Sequence, residues 1–162
     1  MSSFNRPLLF KAMVCAVCII GMAVQNGCSK LVTTSRAMNG NGARVWVFAD
    51  GYLPEKVHEG EKLEPHEAVM ITNTGDTPAS VKLDLYFVDK DPIKDIPVSV
   101  GAERVICIRM DHPDEIGGVH IPPLTQYALR VRSDVKIVVQ FGRLDTTQAN
   151  LAYYVNVGYT SD

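Results

Sequence analysis

Apolar and polar side chains alternate over residues 80–88, where Val81, Leu83, Leu85 and Phe87 interleave with Ser80, Lys82, Asp84 and Tyr86. Successive side chains of a strand point to opposite faces, so this stretch predicts a strand with one face in a core and the other in water. Strand-like runs also cover 45–49, 68–73, 96–100, 104–110, 127–133, 136–144 and 151–159. Turn chemistry falls between them at Asn73-Thr74-Gly75-Asp76, Asp89-Lys90-Asp91-Pro92 and Ser133-Asp134. No long apolar pattern at helical period interrupts the series from residue 44 onward. The expected fold is all-β, a single antiparallel β-sandwich or jelly-roll-like domain of about eight strands over 44–162.

Upstream of the strands the pattern changes. Residues 29–43 are small and polar and close with Asn39-Gly40-Asn41-Gly42, which reads as a flexible tether. Residues 1–28 read as an export signal, with Arg6 and Lys11 before an uncharged stretch from Ala12 to Val24. Thirteen residues span about 20 Å as a helix, short of a hydrocarbon core of ~30 Å, so a permanent transmembrane helix is the weaker reading. Gly27-Cys28 ends the segment as a lipoprotein cleavage site does, although Gln25 stands where a small or aliphatic residue is usual. Three fates stay open: lipidation at Cys28, which leads, simple secretion, and an uncleaved anchor. The expected location is the cell envelope, lipid-anchored to a membrane.

Composition narrows the function. An apolar content of 46% with 21% charged residues excludes a disordered or fibrous chain. Beyond residue 27 there are 14 basic and 18 acidic side chains, a net −4, which is a poor surface for nucleic acid. Cys15 and Cys18 leave with the signal and Cys28 would carry the lipid, so Cys107 alone remains in the domain and no internal disulfide is expected. Its apolar surroundings in Arg104-Val105-Ile106-Cys107-Ile108-Arg109 predict a small core side chain.

Candidate chemistry is sparse. The run Lys136-Ile137-Val138-Val139-Gln140-Phe141 breaks into Gly142-Arg143-Leu144-Asp145-Thr146-Thr147-Gln148, gathering donors and acceptors at a strand end. Arg143 and Asp145 stand two apart, on one face of a persisting strand, so an internal ion pair is the simpler reading. The alternative is that the arginine fork, with Gln140 and Gln148, binds ligand hydroxyls or a carboxylate near Trp46 and Asp50. Trp46 lies in a strand apolar on both faces and serves either as core or as a stacking platform, with Asp50-Gly51-Tyr52 following. His66 and Glu67 are adjacent, hence on opposite faces, and cannot readily share one metal ion. His58, His112 and His120 lack HxH or HExxH spacing, and Asp111-His112 has no GxSxG nucleophile to serve. Asp50, Glu67 and Asp145 are the acids a glycosidase pairing would draw on, but their separation is not legible in sequence. Neither a metal nor a cofactor is expected, and no enzymatic activity.

Trp46 with Ala49-Asp50-Gly51-Tyr52-Leu53-Pro54, His66-Glu67, Ile71-Thr72-Asn73-Thr74, the run from Ser133 to Gln140 and Arg143-Leu144-Asp145-Thr146-Thr147-Gln148 together resemble the sensory rhodopsin transducer family. The likeness runs from about Arg44 to Tyr159. It implies a β-sandwich that assembles as a tetramer and binds small molecules without turnover, with sugars the suspected ligands. It also implies Trp46, Asp50, Tyr52, His66, Glu67, Asn73, Gln140, Arg143, Asp145 and Gln148 as characteristic, ligand-binding positions. The namesake transducer meets the inner face of a rhodopsin and has no export segment, a departure from the start of this chain. The leading expectation is an exported, non-catalytic module for a small polar ligand, a carbohydrate being the suspected class. The alternative is an oligomeric signalling adaptor that docks on a membrane receptor.

Overall fold

The computed structural model describes residues 40–55, 63–147 and 150–162. The export signal expected at 1–28, with Cys28, and most of the tether lie outside them. The elements are β1 (Ala43–Tyr52), β2 (His66–Asn73), β3 (Ala79–Phe87), β4 (Ile93–Val100), β5 (Arg104–Arg109), a 3-10 turn at Pro113–Ile116, β6 (Gln126–Asp145), β7 (Ala152–Asn156) and β8 (Tyr159–Ser161). All strand pairs are antiparallel. One layer runs β4-β3-β6-β1-β8 and the other β5-β2-β6-β7, a β-sandwich in which β6 belongs to both.

The twenty residues of β6 correct the expected turn at Ser133-Asp134. Tyr127, Leu129 and Val131 are buried, and so are Ile137, Val139 and Phe141. All are odd-numbered, so the same side of the strand faces the core throughout. A tight turn would reverse the chain; here it runs on and changes layer. The polar residues at the corner satisfy backbone donors instead, Ser80 N–H giving to Asp134 Oδ1 (2.8 Å) and Val135 N–H to Ser133 Oγ (3.3 Å).

The strand expected at 151–159 divides. β7 pairs with the second half of β6, whereas β8 pairs with β1 in the other layer. Gly158 makes this crossing: a Cβ there would lie 2.7 Å from a ring carbon of Phe48 and 3.1 Å from one of Trp46. Between the layers, Phe48 of β1 and Phe141 of β6 meet edge to face at 5.6 Å, among a core that includes Ile71, Leu83, Leu85 and Leu129. Each such side chain contributes about 1.5–3 kcal/mol by leaving water.

Two residues depart from the expected burial. Cys107 is exposed, because β5 is the edge of its layer and turns Ile108 inward and Cys107 outward. Asp84, on the face of β3 expected to be wet, is 0% exposed. Arg130 and Arg132 of β6 cover it: Asp84 Oδ2 accepts from both Nε atoms at 2.8 Å, and Oδ1 from Arg132 Nη2 at 2.8 Å. Asp95, left-handed at φ 63° where the β3–β4 register shifts, adds its N–H to Oδ1 at 2.9 Å. Burial alone would raise the Asp84 pKa, but Arg132, the Asp95 amide and Arg130 outweigh it and hold the carboxyl well below its usual range.

Candidate functional site

The start of β2, the end of β1 and the end of β6 converge at one end of the sandwich. The β2–β6 register sets Glu67 opposite Arg143 and His66 opposite Leu144. Glu67 therefore faces inward, at 0% exposure, and requires compensation. Its Oε1 accepts from Tyr52 N–H (2.9 Å) and Arg143 Nε (3.0 Å), and its Oε2 from the Tyr127 hydroxyl (2.6 Å). Tyr127 reaches this carboxylate beneath β1 because Gly51 carries no side chain; a Cβ there would sit 2.8 Å from its ring. Burial pushes the Glu67 pKa up, and Tyr127, the Tyr52 amide and Arg143 pull it back only in part. The Tyr127 hydroxyl is raised too, by burial first and then by the Glu67 charge.

Arg143 links this buried acid to the surface. Its guanidinium lies 5.5 Å over the Tyr52 ring, and Nη2 is 3.6 Å from Asp50 Oδ1, an ion pair longer than a hydrogen bond. Asp50 is largely exposed and accepts from Gln126 Nε2 at 3.2 Å, while its carbonyl accepts from the Asn156 side chain. The expected Arg143–Asp145 ion pair is thus replaced by Arg143–Glu67. Asp145 instead accepts from the Thr147 hydroxyl (2.6 Å) and N–H (2.8 Å), which lower its pKa.

The structure so brings together Asp50, Tyr52, Glu67 and Arg143 of the expected ligand-binding positions. His66 borders them on the outer face, its Nδ1 2.8 Å from the Glu64 carbonyl. Trp46 lies apart: its ring stacks on Phe48 (6.4 Å, 9°) and its N–H gives to the carbonyls of Ile137 (3.0 Å) and Ala43 (3.2 Å). Asn73, at the far end of β2, holds a corner, giving to the carbonyls of Thr77 (2.7 Å) and Gly101 (3.1 Å) and accepting from Gly75 N–H (2.9 Å). Gln140 is exposed on the outer face beside Met70. Gln148 lies outside the described residues. Tyr127, which completes the Glu67 site, carries no signal of that role in the sequence, where it reads as one apolar position of a strand.

Beyond Tyr52 a cavity of about 330 Å³ opens, lined by Leu53, Pro54, Glu55, Pro65, Asp111, His112, His120, Ile121 and Pro123. It neighbours the Glu67 network, since Met110 N–H gives to the Glu67 carbonyl at 2.9 Å. Arg109 grips Asp111 through Nε (2.7 Å) and Nη2 (2.6 Å), and Glu115 takes the Arg109 N–H (2.7 Å) while its other oxygen meets His112 Nδ1 at 3.0 Å. Burial works to raise the Asp111 pKa, but Arg109 lowers it further and the net shift is downward.

Among solved structures, a crystal structure of Thermotoga maritima 1070 is 30% identical to this chain, with a TM-score of 0.65, covering 75% of this chain and 97% of that one. The Anabaena sensory rhodopsin transducer is 33% identical, with a TM-score of 0.55, covering 62% of this chain and 96% of its own. No curated protein matches the chain. The profile of the Anabaena sensory rhodopsin transducer family matches residues 41–160, and on that match the chain belongs to this family.

Proposed function

We propose that the protein is a non-catalytic, self-associating adaptor that docks on a membrane receptor; its Anabaena relative is named as a sensory rhodopsin transducer. The observation that carries self-association is the outer face of the β5-β2-β6-β7 layer. Residues directly opposite in antiparallel strands share a face, so Val105, Thr72 and Val138 form one row and Cys107, Met70 and Gln140 the next. Arg109, Ala68, Gly142 and Val155 follow, and then His66, Leu144 and Tyr153. Val105, Val138, Tyr153 and Val155 are 62%, 38%, 53% and 54% exposed. The one arginine in these rows is already held by Asp111. Such a face, with exposed apolar side chains and no unpaired charge in these rows, suits a second copy across a two-fold axis, where like charges would otherwise meet. The β5 and β7 edges beside it are of the kind that other strands or subunits usually cover.

The expected assembly is a tetramer, and acylation at Cys28 would hold it at a membrane. Light scattering tests the reading. The purified protein should be oligomeric at micromolar concentration, and Val105→Asp with Val155→Asp should yield a folded monomer. A monomeric wild type would defeat it.

A second reading, a module for a small polar ligand, is favoured by the cavity at the Leu53–Pro123 end. Its volume falls within the ~300–1,000 Å³ typical of small-molecule sites. A thermal-shift screen of small polar molecules, carbohydrates among them, tests it.

A further inference from the structure

The cavity beyond Tyr52 is rich in acceptors and poor in donors. Its floor is apolar, Leu53 and Ile121 each being 3% exposed. Its walls include Pro54, Pro65 and Pro123, whose backbones have no N–H to offer. The neighbouring amides are already engaged: Leu53 N–H gives to Thr125 O, Leu124 N–H to Leu53 O, and His112 N–H to Arg109 O. Among the described residues the polar lining is Glu55, Asp111, His112 and His120, with neither lysine nor arginine.

His112 is turned toward a carboxylate: its Nδ1 meets Glu115 Oε1 at 3.0 Å, and because a carboxylate only accepts, Nδ1 is the donor. Its Nε2 stands 3.9 Å from Asp111 Oδ2, on the same cavity wall. The carboxylates that meet the imidazole are Asp111 and Glu115, and Arg109, which clamps Asp111, also lies 3.9 Å from Glu64. Glu55 adds a further acid to the lining.

We propose that this cavity binds a small organic cation, an ammonium group on a compact hydrocarbon body. The inference rests on the ligand-binding reading above and names the class. The ammonium's donors answer the carboxylates of Glu55 and Asp111, and the hydrocarbon lies on Leu53, Ile121 and the prolines. An anion meets carboxylates there, and a neutral alcohol leaves most of the acceptors unanswered.

Titration followed by NMR, with three compounds of one shape, tests this on the full-length protein: cyclohexylamine, which is charged at neutral pH, cyclohexanol and cyclohexanecarboxylate. The amine should shift the His112, His120 and Ile121 signals and bind about tenfold more tightly than the alcohol, with the carboxylate weakest. Glu55→Gln should weaken the amine about tenfold and the alcohol far less, because only the amine loses a charge-assisted hydrogen bond. Equal or tighter binding of the alcohol or the carboxylate overturns the cation assignment and leaves the ligand-binding reading standing. Failure of all three to move these signals overturns both.

Discussion

At Glu67 two demands oppose each other: burial favours the protonated acid, and three donors favour the carboxylate. Burial prevails, so the folded pKa lies above the ordinary 4.5 and the native state holds the proton more tightly than the unfolded chain does. The stability from this group is therefore full below about pH 4.5 and declines as pH rises through the folded value. Glu67→Gln should flatten that decline in urea unfolding measured across the range; an unchanged slope would assign it elsewhere. Removing Arg143 strands a buried charge, so Arg143→Ala should cost about 3–5 kcal/mol. Asp145→Ala, which breaks only a local turn contact, should cost about 1 kcal/mol. Equal losses in chemical denaturation would contradict the pairing. The sequence did display Arg143 and Glu67 as notable residues. It could not pair them, because they are joined by the β2–β6 register across 76 residues, whereas Asp145 stands two positions away.

Among the elements, strands were legible wherever one face meets the core and the other meets water. Residues 80–88 and 68–73 read correctly for that reason. β6 is not legible in that way, because Ser133-Asp134 carries turn chemistry in the middle of an otherwise unbroken phase of odd-numbered apolar positions. The same segment shows what turn residues do inside a strand: they stitch a corner through Ser80 and Val135. The buried Asp84 was hidden in the alternation itself, since a polar position on an outer face gives no sign that two arginines will cover it. Asp84→Asn should leave Arg130 and Arg132 without their shared counter-charge, set an amide NH2 group against one of them, and cost about 3 kcal/mol near neutral pH. Because the Asp84 pKa is depressed, its contribution is present above the ordinary 3.8 and is lost only as pH falls through the lower folded value. The difference between wild type and variant should thus shrink in strong acid, which unfolding at a series of pH values would detect. For the β7–β8 crossing, Gly158→Ala forces a methyl against Phe48 and Trp46 and should cost about 1–3 kcal/mol, with β8 amides losing protection from hydrogen exchange.

For the whole molecule, the two-layer class followed from the strand count and the turns, but the cavity did not. Its lining comes from residues near 53, 65, 111 and 121, and only the assembled end of the sandwich makes them neighbours. The same holds for the outer face of the β5-β2-β6-β7 layer, where each strand contributes a single position to a row. The expected anchor belongs to this scale as well. Cys28→Ser should release the protein from membranes into the soluble fraction, and a variant retained as fully as wild type would favour an uncleaved segment instead.

One strand shared by both layers also governs how the molecule comes apart. A sandwich of two separate sheets can loosen one while keeping the other. Here, freeing either layer withdraws half of β6 from its partners and drags on the other half through an unbroken backbone. The domain should therefore open as one cooperative unit. Native-state hydrogen exchange offers the measure: amides near Val131 and near Val139 should share one opening free energy and one denaturant dependence. Assembly pays the reverse of that unity, because β6 cannot be completed until β1, far behind it in the chain, and β7, after it, have both found their places, which favours slow, all-or-none folding.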